Sequence, residues 1–302
     1  MSDAVTTAAG RRGEPSSDAW AHEGAFATEL ARRAGAVLMD RYERVERIDY
    51  KSARDVVTEA DHESEALIID AIRARFPGDA ILAEESGEHR AVGEEAGGEK
   101  RATVPGRTWV IDPLDGTVNY ANGIPFFCVS IALVVDGSPV VGAVFDPTRD
   151  ELFTASADTT ALLDGRPVRA SDKENVTDFV VSMALNGRAA VTRSRNVRKA
   201  VRIPRSMGSA ALALAYVANG RFDAFIQQGG LSAWDVAAAG LIAERGGATV
   251  SAMDGGRWFD LARPPRSIGI LAAPSRHHPA LLDLVREPPP TRRSRSPGTV
   301  RA

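Results

Sequence analysis

Two apolar runs, Phe126–Val135 and Val140–Phe145, stand on either side of Asp136-Gly137. That dipeptide is a strong hairpin signal, because the tightest hairpin turn needs a positive φ at both central residues. A chain with such a hairpin near its middle must build an antiparallel sheet and then cover it. Flanking segments supply the cover. Ala25 to Tyr42 has the spacing of an amphipathic helix. Thr58 to Phe76 sets Leu67/Ala71 and Ile68/Ile72/Phe76 at four-residue intervals before Pro77-Gly78 stops it. Ser209 to Ala218, built of small residues, predicts a slim helix that packs tightly on a sheet and ends at Asn219-Gly220. Asp235 to Arg245 predicts another, closed by Gly246-Gly247. The alternation argues for mixed α and β structure. Gly87 to Arg107, rich in glycine and charge, reads as a mobile loop, and residues 1–18 and 287–302 read as disordered ends.

Composition excludes several classes. With 302 residues, 44% hydrophobic and 25% charged, the chain is that of an ordinary globular protein. Its longest nearly uncharged apolar run, Ile124 to Val135, is too short to span a bilayer, so no membrane role is expected. A single cysteine, Cys128, allows no internal disulfide, and Met1 to Pro15 lacks an apolar secretory core, so a cytoplasmic location is expected. The net charge of −3 divides unevenly: Arg286 to Ala302 carries five arginines and one glutamate. That tail reads as a frayed, solubilising end, with contact to nucleic acid or acidic lipid as the alternative. The body reads as having no basic stripe, so nucleic acid is not expected as the main ligand.

Four acidic segments hold the chemistry. In Trp109-Val-Ile-Asp112-Pro-Leu-Asp115-Gly-Thr117-Val-Asn119, a strand is expected to end at Asp112 and turn through Pro113 and Gly116. The turn throws two carboxylates to one side, as a hard divalent cation requires, and presents the N–H groups of Gly116 and Thr117 to a phosphate oxygen. An Asp-rich surface turn is the plainer alternative. Glu84-Glu85 ends a short apolar run, where a solvated acidic loop serves as well. Ser232-x-x-Asp235 and Thr58-x-x-Asp61 both fit helix capping boxes, a structural role compatible with a fixed, ionised ligand.

Other mechanisms lack their residues. Six positions after Cys128 stands Val134, where a cysteine-phosphatase loop needs arginine. There is no phosphate-binding Gly-x-x-x-x-Gly-Lys-Ser/Thr loop, no Gly-x-Ser-x-Gly elbow, and the five histidines show no zinc spacing. Acids remain as the catalytic resource.

Taken together, Asp55-Val-Val-Thr-Glu-Ala-Asp61, Ala83-Glu-Glu-Ser86, Trp109 to Asn119, Gly208-Ser-Ala-Ala-Leu212 and Trp234-Asp-Val-Ala-Ala-Ala-Gly240 resemble, in order and spacing, the inositol monophosphatase family of lithium-sensitive, Mg²⁺-dependent phosphatases. The resemblance covers roughly Ala19 to Val285. It implies a layered αβαβα sandwich of the inositol monophosphatase and fructose-1,6-bisphosphatase type, with an α+β half (19–155) carrying most metal ligands, an α/β half (156–286), and a homodimer. It implies two or three Mg²⁺ ions: Glu84, Asp112 and the Leu114 carbonyl at the first, Asp112, Asp115 and Asp235 at the second, and a looser third near Glu84. Thr117, with Glu84 and Asp61, would orient the attacking water; Gly116 and Thr117 would take the phosphate; Asp115, Asp235, Ser206 and Gln228 would lie near the alcohol.

The implied substrate is a small phosphorylated metabolite. Inositol monophosphate leads; fructose 1,6-bisphosphate and histidinol phosphate are alternatives, as is a non-catalytic binding protein that keeps the fold. Two departures stand out. Ala83 replaces the glycine usual before the paired glutamates. Gln227-Gln228 stands where inositol-phosphate enzymes carry a glutamate, in a segment that reads one residue longer. An amide both donates and accepts, so polyol recognition is expected to differ.

Overall fold

A computed structural model describes residues 18–42, 48–52, 55–89, 106–186 and 190–286. The ends expected to be disordered, apart from Asp18, lie outside these, as does most of the loop expected from Gly87 to Arg107.

In chain order the elements begin with α1 (Ala21–Arg41), the antiparallel pair β1 (Ile48–Ser52) and β2 (Asp55–Thr58), and α2 (Glu59–Arg75). There follow β3 (Ala80–Ala83), β4 (Gly87–His89), β5 (Arg107–Asp115), the short α3 (Thr117–Ala121), β6 (Cys128–Val135), β7 (Ser138–Asp146), β8 (Glu151–Ser156), β9 (Leu162–Leu163) and β10 (Arg166–Pro167). The second half holds β11 (Val180–Leu185), α4 (Ala190–Ala200), β12 (Ile203–Arg205), α5 (Ala210–Ala215), β13 (Ala224–Leu231), α6 (Ala233–Arg245), β14 (Ala248–Ala252), β15 (Ile268–Pro274) and α7 (His278–Val285).

Strands β3 to β10 form an eight-stranded sheet in the order β10-β9-β8-β7-β6-β5-β3-β4, and a second, five-stranded sheet runs β12-β11-β13-β15-β14. The central hairpin is as expected: Val135 pairs with Ser138, and Asp136 and Gly137 have φ of 49° and 74°. Alternation along each strand then sorts side chains between layers. Trp109, Ile111, Ile131 and Val141 face α1 and α2, packing against Leu30, Ala34, Ile68 and Ile72. Val110, Cys128, Ala132 and Val144 face the other way, onto the alanine-rich α5 and α6, which also meet Phe225 and Ile270 of the second sheet. On the far side of that sheet, Val181, Ala224 and Leu271 pack against Val197 of α4 and Leu281, Leu282 and Val285 of α7. The result is five layers, αβαβα. Small side chains let the middle layer sit close: a Cβ on Gly142 of β7 would lie 2.8 Å from the carbonyl oxygen of Ala238.

Three sequence expectations need correction. Gly87–His89 is a strand rather than the start of a loop, because it pairs antiparallel with β3. The slim helix is regular only over Ala210–Ala215; beyond it, Val217 and Ala218 close tighter turns onto Leu214 and Ala215 before Asn219-Gly220. The body also has a basic stripe. Arg195, Arg198, Lys199 and Arg202 are exposed at i, i+3, i+4 and i+7 spacing on and just beyond α4, while Arg193 and Val197 are buried beneath.

Candidate metal centre

Strand β5 does not end at Asp112. It continues through Pro113 to Asp115, and its register with β6 explains why. Asp112 lies opposite Ser130 and Asp115 opposite Cys128, so three steps on β5 are matched by two on β6. One residue is bulged out, and the bulge resets the alternation, turning Asp115 to the face already occupied by Asp112. Both carboxylates thereby point toward α5 and α6, as Cys128 does. Pro113 lacks the N–H that a regular ladder would need, which suits it to this position. Gly116 follows with φ of 101°, and a Cβ there would come within 3.1 Å of the Phe126 carbonyl oxygen and of Ser209.

From the middle layer, Asp235 arrives at the third position of α6. The expected capping box is present: the Ser232 N–H donates to Asp235 Oδ2 at 2.5 Å. One carboxylate oxygen from each of Asp112, Asp115 and Asp235 lies within 4.8 Å of the others, with Asp112 and Asp115 buried and Asp235 partly exposed. Glu84 occupies the turn between β3 and β4, close enough for its charge to act on Asp112. Burial first, then the charges of Glu84, Asp115 and Asp235, push the Asp112 carboxyl well above the ordinary carboxylate range. Burial and the Asp115 charge raise Asp235 likewise. Asp115 is also raised by burial, against the lowering effect of Ser209 and of the backbone N–H groups of Ala211, Ala210 and Leu212. Such a cluster has the oxygen donors that a hard divalent cation takes, and a cation would remove the repulsion. The residues fit Mg²⁺.

Positions expected around this core are found in different states. The Leu114 carbonyl accepts the Thr117 hydroxyl at 3.0 Å, and Thr117 Oγ1 lies 3.3 Å from Asp61 Oδ1. Asp61 is held by its own capping box, Oδ2 accepting from both the N–H and the hydroxyl of Thr58. Ser206 is exposed between β12 and α5 and is not the serine that touches the cluster. That serine is Ser209, whose hydroxyl donates to Asp115 Oδ2 at 2.5 Å, beside the Ala211 N–H at 2.6 Å. Gln228 lies on β13 opposite Leu185, where four steps from Gln227 to Leu231 match two on β15. Gly229 and Gly230, at φ of 69° and 79°, lie within this irregularity.

Sequence reasoning named Asp61 on α2 but missed Ser64 and Glu65, which are buried beside it at i+3 and i+4 and hold other parts of the centre. Ser64 donates to the Pro113 carbonyl at 3.1 Å. The Glu65 carboxylate accepts the N–H groups of Glu85 and Ser86, each at 2.9 Å, fixing the turn that carries Glu84. Their three-to-four spacing from Asp61 is visible in the sequence, but the pattern does not say which polar side chains of α2 become buried. Asn119 does similar work, donating to the carbonyls of Phe126 and Met207 and so joining α3 to the loop before α5.

Comparison with known proteins places this arrangement. A family model described as the inositol monophosphatase family matches residues 20–288. Nus factor SuhB of Salmonella typhimurium (strain LT2) is 38% identical over 239 residues, covering 76% of this chain and 85% of its own length. Inositol monophosphatase 2 of Solanum lycopersicum is 36% identical over 249 residues, covering 78% and 88%. Among solved structures, extragenic suppressor protein suhB from Bartonella henselae matches with a TM-score of 0.76 at 33% identity, over 86% of this chain and 96% of that one. Thermotoga maritima IMPase matches at 0.74 and 30% identity, over 86% and 95%. This chain belongs to the inositol monophosphatase family.

Proposed function

We propose that this protein hydrolyses the phosphate monoester of a small polyol or sugar in a Mg²⁺-dependent reaction, inositol monophosphate being the leading substrate. The observation that carries this reading is the convergence of Asp112, Asp115 and Asp235 oxygens within 4.8 Å, with the Glu84 charge acting on Asp112. Glu84, Asp112, Asp115, Asp235 and the Leu114 carbonyl would hold two or three ions. Bound there, Mg²⁺ supplies activation of a water, neutralisation of the phosphoryl oxygens and stabilisation of the departing alkoxide.

The remaining work belongs to the chain. Thr117, kept between Asp61 and the Leu114 carbonyl, orients the attacking water together with Glu84. The N–H groups of Gly116 and Thr117 bind the phosphate in the turn after β5. Asp115, Asp235, Ser206 and Gln228 border the alcohol. Water adds in line to phosphorus as the ester P–O bond breaks and the alcohol takes up a proton, without a covalent enzyme intermediate. In this reading residues 19–155 supply most metal ligands and 156–286 supply Asp235 and the selectivity, within a cytoplasmic homodimer. Among the described residues no helix is long and apolar enough to cross a membrane.

Phosphate release should be measured with inositol monophosphate, fructose 1,6-bisphosphate and histidinol phosphate, with and without Mg²⁺. Release that requires Mg²⁺ and is fastest on the inositol ester is expected. A folded protein inert toward all three would sink the catalytic reading. A second reading, binding or regulation on a retained fold, is favoured by the name Nus factor on relatives 37–38% identical. The intact Glu84, Asp112, Asp115, Thr117 and Asp235 speak for chemistry. Removal of residues 287–302 separates the two: turnover should be unchanged, whereas a binding role carried by the tail should be lost.

A further inference from the structure

We propose that the outer face of α4 is a docking surface for a nucleic-acid phosphate backbone. From residue 179 to 222 the chain contains seven arginines and one lysine and no aspartate or glutamate. Helical spacing gathers Arg195, Arg198 and Lys199 onto one exposed face of α4, and Arg202 is exposed two residues past its end. Like charges at i, i+4 repel and weaken a helix, so this row gives the fold nothing by itself. Among the described residues, Arg195, Arg198 and Lys199 have no carboxylate within ion-pair distance, and Arg202 pairs with the exposed Asp178 at 2.6 Å. The row is also fixed in place. Beneath it Val197 and Val201 are buried against β11 and α7, and Arg193 reaches the Asn186 carbonyl at 3.1 Å.

The chemistry of the row favours phosphate diesters over a lipid surface. Three of its four cations are arginines, whose planar forks match phosphate oxygens in pairs. The one large apolar side chain exposed on α4 is Val191, too little to anchor in a bilayer. The four helical steps from Arg195 to Lys199 span ~6 Å, a length over which a duplex presents about three to four phosphate charges. The face lies on the outer layer, across the second sheet from the α6 layer that bears Asp235, so an occupant there leaves the metal centre accessible.

The test is fluorescence polarisation of the full chain with labelled 20-nucleotide mixed-sequence RNA and with a 20-base-pair DNA duplex, between 50 and 200 mM KCl. The wild type is expected to bind, with affinity falling steeply as salt rises. The triple variant Arg195→Gln/Arg198→Gln/Lys199→Gln should bind at least about tenfold more weakly at the lowest salt. Its slope of log K against log salt should be shallower by about two for the single strand and about three for the duplex. Arg195→Lys/Arg198→Lys keeps the charge and should keep the slope. No variant should melt below the wild type, because these side chains are exposed and the triple variant also relieves a like-charge repulsion. Absence of binding by the wild type, or equal affinity and slope in the triple variant, would overturn the proposal. So would equal displacement by polyglutamate at matched charge, or stripe-dependent binding to phosphatidylserine vesicles without binding to either oligonucleotide.

Discussion

Ser209 donates its hydroxyl to Asp115 Oδ2 at 2.5 Å across 94 positions of sequence. The same Ser209 oxygen accepts from the Leu212 N–H at 3.3 Å, so one side chain both starts α5 and pins a member of the acidic cluster. The end of β5 and the middle helical layer are thus fixed to each other at the point where the chemistry is proposed.

Ser209→Ala removes both bonds. A lost N-cap costs about 1 kcal/mol, and a lost hydrogen bond to a charged group costs about 1.5–3 kcal/mol. The melting temperature should fall by several degrees. The Mg²⁺ concentration for half-maximal turnover should rise roughly tenfold or more, as for other groups that orient a metal ligand. An unaltered Mg²⁺ dependence would show that Ser209 serves the helix alone.

Asp112→Asn should abolish Mg²⁺-dependent turnover and leave the fold intact. The pH behaviour follows from the same charge. An acid whose pKa is higher folded than unfolded favours the fold while protonated. The contribution of these two acids to the metal-free protein is therefore fully present below the ordinary value of 3.8 and is lost as pH climbs through the raised values of Asp112 and Asp235. Each tenfold gain in proton affinity on folding is worth ~1.4 kcal/mol. The rise in melting temperature on adding Mg²⁺ should accordingly be small at pH 5 and grow toward pH 8, and be much reduced in Asp112→Asn. A Mg²⁺ effect equal at both pH values would contradict the buried-cluster account.

Glu65→Gln keeps one acceptor for the Glu85 and Ser86 N–H groups where the carboxylate offers two. The turn bearing Glu84 should loosen, weakening Mg²⁺ activation by about tenfold while KM for the ester stays within about twofold at saturating Mg²⁺. Titration of turnover with Mg²⁺ decides it, and a change confined to KM would place Glu65 elsewhere in the mechanism.

Gly142→Ala tests the layer contact. The added methyl would meet the Ala238 backbone of α6, the helix that carries Asp235, at 2.8–3.0 Å. Because the neighbour is backbone, it cannot rotate away, and a loss of about 1–3 kcal/mol in urea unfolding is expected. Stability equal to the wild type would mean that the two layers can part without cost.

Gln228→Glu should change the ranking of phosphate esters more than the maximal rate on the best one. The substitution puts an acceptor-only carboxylate where the sequence resemblance expects one in an inositol-phosphate enzyme. An identical substrate profile would remove Gln228 from recognition.

Much of this protein was determined by its local sequence. The Asp136-Gly137 hairpin and the two capping boxes at Asp61 and Asp235 depend on residues a few positions apart and are found where their patterns place them, and apolar periodicity located α1 and α2 to within four residues at each end. The order of the acidic motifs was enough to assign the family. Tertiary structure decided the rest. Asp112 and Asp115 share a face because a bulge in one strand is defined only by the register of its partner. Ser209 rather than Ser206 reaches the cluster, and Glu65 serves a turn 20 positions away, since hydrogen bonds over such distances depend on how layers stack. The basic row on α4 was hidden for a related reason: which cations are exposed is settled only when the opposite face of the helix is buried.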